Sequence, residues 1–153
     1  ADGYYFTHFL QDKAKTAYGG AELKYGYKDW FDASLKGTFY SWKTDNENEE
    51  LYLMTKPKFE LNFYAEAKVF EGLKVYLGYE YVQRKEYVIE EGNSSRDLGL
   101  GNISNLSVGA SYTFLKDLSV FGRVNNLLNK QYYYEYGYPA EKLNVLAGLS
   151  LVF

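Results

Sequence analysis

The most regular feature of this sequence is an alternation of apolar and polar residues with a period of two. In the segment KFELNFYAEAKVF, apolar side chains from Phe59 to Val69 alternate with mostly polar side chains from Lys58 to Lys68. Successive side chains of a β-strand point to opposite faces of a sheet, whereas a helix would repeat its pattern every three or four residues. The pattern therefore predicts strands that have one apolar and one polar face.

The same alternation, followed along the chain, predicts about eight strands. Their predicted bounds are 3–11, 15–27, 30–43, 57–70, 73–88, 103–115, 118–134 and 142–153. Several of these segments are longer than the usual strand of about 5–6 residues. Their length suits a tilted strand that crosses a membrane, which needs about 9–11 residues.

The connections between the predicted strands alternate in length, apart from a short first one near 12–14. The tight turns are predicted at Lys28-Asp29, Glu71-Gly72 and Lys116-Asp117. The longer connections are predicted at 44–56, 89–102 and 135–141. This alternation places all the later tight turns at one end, as in bacterial outer-membrane barrels, which have short periplasmic turns and longer extracellular loops. We therefore predict an all-β fold, an antiparallel up-and-down transmembrane β-barrel in the bacterial outer membrane, as a single domain over 1–153.

A soluble barrel of the lipocalin type is the alternative, because its strands also alternate but its apolar face points inward. The period alone does not separate the two architectures. Strand length, the sorted connections and the apolar run that ends on Phe153 favour the membrane barrel.

The composition agrees with this interpretation and excludes several kinds of site. Mean hydropathy is −0.43 although aromatic residues make up 20% of the chain, as expected where alternating strands average out. The absence of cysteine excludes disulfides and thiolate metal sites. A net charge of −3 gives no basic surface for nucleic acid.

Candidate catalytic and metal-binding residues are few. His8 is the sole imidazole, and no serine stands in a recognisable nucleophile context, so we predict neither an enzyme nor a catalytic residue. The acidic segment with Asp45, Glu47, Glu49 and Glu50 offers oxygen ligands, but it lacks the spacing and glycine of a calcium loop. No metal site and no cofactor are predicted.

The charged residues of the polar face are candidates for lining the lumen of a barrel. They are Glu22, Lys24, Asp32, Lys36, Glu60, Glu66, Lys68, Glu80, Arg84 and Arg123. In a barrel of about eight strands, side chains fill the interior, so these charges would pair there. In a wider barrel the same residues would line a channel or face a plug.

The run of tyrosines from Tyr132 to Tyr138 lies where the seventh predicted strand enters the last long connection. If the alternation continues from Asn126, then Tyr132, Tyr134 and Tyr136 face lipid and Tyr133 faces the lumen. Tyrosines at that height suit the aromatic girdle at a membrane interface. A bulge near position 129 would exchange the two sets.

The tip of the same connection holds the candidates for ligand contact. These are Glu135, Tyr136 and Tyr138, beside the Gly137-Pro139 turn.

Two stretches of the sequence resemble one protein family. AYGGAELKYGYKDWFDASLKGTFYSW resembles a strand pair that recurs in TonB-dependent outer-membrane receptors. LSVFGRVNNLLNKQYYYEYGYP, followed by LNVLAGLSLVF, resembles the C-terminal hairpin of that family. Ala140 stands where the family usually has arginine after Gly-Tyr-Pro. The resemblance implies the C-terminal strands of a receptor barrel of about 22 strands, without the family's plug domain.

The resemblance also implies a function and partners. It implies uptake of a scarce nutrient such as an iron chelate, a vitamin or a glycan, with TonB as a partner if the chain belongs to a full receptor. Outer-membrane lipid would surround the barrel, and the barrel-assembly machinery would read the last strand through Phe153. The alternative is a small independent barrel without a plug that serves as a membrane anchor, an adhesin or a narrow pore.

Overall fold

The computed structural model describes residues 13–44, 52–85, 88–91, 94–97, 100–116, 118–135 and 138–152. The strands within these residues are β1 (Ala14–Tyr27), β2 (Phe31–Thr44), β3 (Pro57–Phe70), β4 (Leu73–Arg84), β5 (Val88–Glu91), β6 (Ser94–Asp97), β7 (Ile103–Leu115), β8 (Leu118–Asn125), β9 (Tyr133–Glu135), β10 (Tyr138–Pro139) and β11 (Asn144–Leu151). Seven of them form one antiparallel sheet in the order β1-β2-β3-β4-β7-β8-β11. The pairs β5–β6 and β9–β10 form two small separate sheets.

The predicted strand bounds hold for most of the main sheet. The bounds of β3 and β7 are those predicted, and β1, β2 and β11 differ from their predictions by a few residues at most. The strand predicted over 73–88 ends earlier, at Arg84, and the one predicted over 118–134 ends at Asn125. The strand predicted over 3–11, including His8, lies outside the described residues.

The tight turns all lie at one end of the sheet, as predicted. Lys28 in the β1–β2 turn and Gly72 in the β3–β4 turn have positive φ angles of 53° and 84°. Glycine adopts such a conformation without the steric strain that a side chain brings. The connections from β2 to β3, from β4 to β7 and from β8 to β11 leave from the opposite end, which we call the long-connection end.

The register of the strands keeps one apolar face continuous across the sheet. Leu35 of β2 lies opposite Leu23 of β1 and Phe63 of β3, and the same parity runs on through Tyr79 of β4 to Leu106 of β7. A slip of one residue in any pair would move a whole strand's apolar residues to the other face. The sheet therefore has one apolar face and one polar face over all seven strands.

The apolar face is exposed to the surroundings and carries aromatic rings at both ends. Phe39 and Phe59 lie at the long-connection end with ring centroids 4.5 Å apart, whereas Tyr25 and Phe31 lie 6.2 Å apart near the tight turns. Mainly aliphatic residues lie between them. Phe39 follows Phe31 by eight positions, about 26 Å along a strand. A strand tilted by about 35–45° spans about 20 Å of height over that length, which fits within the apolar band of about 25 Å on outer-membrane barrels.

The polar face accommodates its aromatic rings by means of glycine. Tyr76 lies over Gly109 on the neighbouring strand, and Phe121 lies over Gly148, so that a Cβ atom at either glycine would clash with the ring. Glycine permits a close approach of this kind because it has no side chain. These rings consequently lie flat along the sheet.

The most buried apolar cluster in the described residues is small and lies at the long-connection end. Val82, Ile103 and Tyr132 form it, and Ala140 packs against them. Val82 and Ile103 are paired residues of β4 and β7 on the polar face. No helix among the described residues is long and apolar enough to cross a membrane.

Candidate functional site

All ten charged residues predicted to line a lumen share the polar face of the sheet. Glu22 lies opposite Lys36, Asp32 opposite Glu66, and the other members follow by the alternation of their strands. Part of this face forms an open depression of about 350 Å³ whose charged lining includes Glu22, Lys36, Glu80 and Arg123. That this face lines a lumen stays a prediction.

The polar face carries both signs of charge, but ion pairing within the described residues is limited. Lys24 Nζ lies 3.4 Å from Glu22 Oε1, and Lys74 Nζ lies 3.6 Å from Glu66 Oε1. The pairs are largely exposed, so each contributes less than about 1 kcal/mol. Within the part of the chain that the structure describes, no group of three or more acidic, histidine or cysteine side chains could hold a metal ion.

The connection that follows β8 is organised by one buried asparagine. Asn126 is 1% exposed and has a φ angle of 48°, in the left-handed region. Its side-chain Nδ2 donates hydrogen bonds to the carbonyl oxygens of Lys130 and Glu141 at 2.8 and 3.1 Å. Its Oδ1 accepts a hydrogen bond from the Lys130 backbone N–H at 3.2 Å. The Asn126 N–H donates to Asn105 Oδ1 at 3.1 Å, which attaches the turn to β7.

This turn ends β8 at Asn125 and directs the chain across the polar face. Asn129, the second residue with a positive φ in the turn (50°), accepts a hydrogen bond from the Leu143 N–H at 3.2 Å. Asparagine tolerates the left-handed region better than most residues because its short polar side chain can bond locally. Periodicity carries no signal for such a turn, although the Asn125-Asn126 pair could have indicated it.

The tyrosines that follow do not lie on the faces that a continued alternation predicts. Tyr132 is 5% exposed and packs on Val82 and Ile103, and Tyr134 directs its hydroxyl to Glu80 at 3.3 Å. Both rings therefore lie over the polar face, and their prediction as lipid-facing residues is wrong. The physical reason is the irregular backbone at 126–129, which changes the parity, as the alternative with a bulge anticipated.

Arg84 links the segment 132–135, which we call the tyrosine segment, to the end of β4 by hydrogen bonds. Its guanidinium donates a hydrogen bond to the Tyr133 carbonyl oxygen, and its backbone N–H donates to Asn102 Oδ1 at 2.9 Å. Burial and the neighbouring Glu80 carboxylate raise the pKa of Tyr134, so its hydroxyl stays protonated and able to donate well above neutral pH. Arg84 and Glu80, predicted only as charges of the face, thus hold the last long connection in place.

The residues predicted to contact a ligand lie at the tip of this connection. Glu135 and Tyr138 are exposed and pair with each other in the short β9–β10 hairpin. Their role in binding stays a prediction. Tyr136 and the predicted assembly signal, Phe153, lie outside the described residues, as do Asp45, Glu47, Glu49 and Glu50.

A pair of leucine substitutions tests the placement of the tyrosines. Tyr132→Leu should lower the free energy of unfolding by about 1–2 kcal/mol, because the smaller leucine leaves part of the space beside Val82 and Ile103 unfilled. Tyr134→Leu should lower it by less than about 1 kcal/mol, because its ring is half exposed and its bond to Glu80 is long. Urea unfolding of the membrane-reconstituted protein measures both values. Equal effects would contradict the burial of Tyr132.

Comparison by sequence gives no relative: no protein-family model matches the chain, and no curated protein matches it.

Comparison by structure finds similar folds in receptors from Pseudomonas aeruginosa. The ferripyoverdine receptor of the outer membrane, bound to ferripyoverdine, matches 90% of this chain with a TM-score of 0.70 and 16% identity. A second structure of this receptor, FpvA bound to heterologous pyoverdines, matches 90% of the chain with a TM-score of 0.71 and 17% identity. A mutant of the ferric enterobactin receptor PfeA matches 88% with a TM-score of 0.63 and 17% identity.

The extent of these matches determines what they establish. The chain covers 19% of FpvA and 22% of PfeA, so it spans about a fifth of the length of either receptor. The TM-scores of 0.63–0.71 show a shared fold, and at 16–17% identity the matches establish the fold alone. The predicted all-β antiparallel fold is therefore confirmed, and it is the fold of strands in outer-membrane receptors, which supports the predicted location.

Proposed function

We propose that this chain contributes strands to the barrel of a bacterial outer-membrane receptor of the TonB-dependent type, which takes up a scarce nutrient such as an iron chelate, a vitamin or a glycan. Two independent observations support the proposal. The sequence resembles that family in its second and third predicted strands and in its last two. The folded chain resembles receptors for ferripyoverdine and ferric enterobactin.

The exposed apolar face is the observation that carries the membrane location. Leu23, Val145 and Leu149 are 69, 69 and 73% exposed on the same face of the sheet. A soluble protein rarely exposes an apolar surface that extends over a whole sheet, whereas lipid is the natural surrounding of such a face. The outer-membrane lipid is thus the first partner that we propose.

The orientation follows from the connections. In outer-membrane barrels the short turns are periplasmic and the longer loops are extracellular, so the long-connection end faces outward in this proposal. Glu135 and Tyr138 then lie where a nutrient would arrive, and the polar face with its charges lines the interior. We further propose that the barrel-assembly machinery reads the last strand, and that TonB acts on the complete receptor.

Cysteine labelling tests the location and the orientation together. The chain has no cysteine of its own, so Tyr138→Cys and Asp29→Cys each introduce one thiol, at the long-connection end and at a tight turn. A membrane-impermeant maleimide should label Tyr138→Cys on intact cells and label Asp29→Cys only after the outer membrane is permeabilised.

The two sites control for each other, because both residues are exposed in the folded chain. Labelling of Asp29→Cys but not of Tyr138→Cys on intact cells would contradict the proposed orientation and indicate the opposite one. Equal labelling of both variants without permeabilisation would refute the membrane location.

A further inference from the structure

A cleft rich in lysine lies at the long-connection end of the polar face, apart from the tyrosine segment. Its volume is about 350 Å³, and its walls include Tyr40, Trp42, Leu53, Lys56, Lys58 and Lys85. Pockets for small molecules begin at about 300 Å³, so the cleft can hold a compact ligand. We call it the lysine cleft.

Hydrogen bonds and a ring contact made by the wall residues hold the walls of the lysine cleft in place. Trp42 Nε1 donates a hydrogen bond to the Pro57 carbonyl oxygen at 2.7 Å, and its ring stacks with Tyr40 at a centroid distance of 6.0 Å. Leu53 is 7% exposed and accepts a backbone hydrogen bond from Lys56 at 3.0 Å. A site whose walls are held in this way loses little conformational freedom when a ligand binds.

The position of Lys56 is set by two aromatic rings. Its Nζ lies 5.5 Å from the centroid of Trp42 and 4.9 Å from that of Tyr52. Such cation–π contacts orient an ammonium group without neutralising its charge. The N–H groups of Lys56 therefore remain donors for an acceptor that enters the cleft.

The lysines of the cleft carry charge of one sign, and none of the lining residues that the structure describes is a carboxylate. Glu60, an acid on the same face, accepts a hydrogen bond from the Tyr40 hydroxyl at 2.8 Å. Neither Lys56 nor Lys58 takes part in the two ion pairs found among the described residues.

We propose that the lysine cleft binds a small polyanion, a ligand with clustered phosphate or carboxylate groups, through the ammonium groups of Lys56 and Lys58. Several donors of the same sign around one cleft favour a ligand that carries more than one negative charge. The binding itself requires only the folded chain. Its place on the inward face would make it a step in uptake, and that role rests on the proposed receptor function.

Tryptophan fluorescence tests the proposal directly. The chain has two tryptophans, so Trp30→Phe leaves Trp42, in the wall of the cleft, as the sole one. Titration of this variant with pyrophosphate, at constant ionic strength in detergent micelles, should give a saturable change in fluorescence. Propane-1,2,3-tricarboxylate serves as the second probe and distinguishes carboxylate from phosphate ligands.

Charge-removing variants then locate the site. Lys56→Gln and Lys58→Gln should each weaken binding by about tenfold or more, since a hydrogen bond to a charged group is lost. Lys24→Gln removes the same charge from the same face outside the cleft and should change the affinity by less than about twofold. Calorimetry repeats the measurement independently of any direct effect of Lys56 on the fluorescence of Trp42.

Two results would overturn the proposal. One is the absence of saturable binding of either probe to the folded Trp30→Phe protein. The other is a loss of affinity for Lys24→Gln as large as that for Lys56→Gln, which would mean that the whole face attracts anions without a site. Neither result depends on the cysteine labelling, so the cleft and the receptor function fail separately.

Discussion

Leu35→Arg is expected to lower the free energy of unfolding in lipid vesicles by about 2–4 kcal/mol, the range for arginine at the midplane of an outer-membrane barrel. Leu35 lies midway between Phe31 and Phe39 on β2 and faces the apolar side. An arginine there would have to leave water for hydrocarbon. Urea titration of the protein refolded into phosphatidylcholine vesicles measures the change.

The neighbouring residue supplies the matched control. Ser34 lies on the same strand at almost the same height but belongs to the polar face. Ser34→Arg should change the free energy of unfolding by less than about 1 kcal/mol, because the polar face already contains charges. If Leu35→Arg were as mild as Ser34→Arg, the apolar face would not contact lipid.

Asn126→Ala is expected to destabilise the last long connection by about 3 kcal/mol or more. The substitution removes three side-chain hydrogen bonds in a buried position and leaves at least one backbone carbonyl without its donor, at about 1–3 kcal/mol. It also places alanine in the left-handed region, which adds about 1–2 kcal/mol. Amide hydrogen exchange over residues 126–143 measures the free energy of local opening.

Two further variants separate these contributions. Asn126→Gly keeps the backbone conformation accessible and should show only the loss of the hydrogen bonds. Asn129→Gly, at the second left-handed residue, removes one exposed hydrogen bond and should change local opening by less than about 1 kcal/mol. Similar exchange rates for Asn126→Ala and Asn129→Gly would show that Asn126 is not the centre of the turn.

The sequence predicted the sheet well because its physical basis is simple. Side chains of a strand alternate, so an apolar residue at every second position determines both the secondary structure and the face, as at Phe59, Leu61 and Phe63 of β3. The tight turns were equally clear, because Gly72 and its neighbours interrupt long alternating segments. Fold class, most strand bounds and the common face of the charges followed from these two patterns.

The arrangement of the candidate site could not be predicted in the same way. The end of β8 depends on single φ angles at Asn126 and Asn129, which periodicity does not encode. The burial of Tyr132 and the anchoring of Tyr133 by Arg84 depend on residues about 50 positions apart in the sequence. The lysine cleft likewise requires β2, β3 and the end of β4 to come together.

The glycines beneath Tyr76 and Phe121 have a consequence for the width of the space beside the polar face. A ring that lies flat within the thickness of the sheet takes up little of that space, whereas a ring forced upright would project by most of its length. If the polar face lines the interior of a barrel, as we propose, the small residues at positions 109 and 148 set the clearance along that wall. Enlarging them would then narrow the interior without altering a single charge.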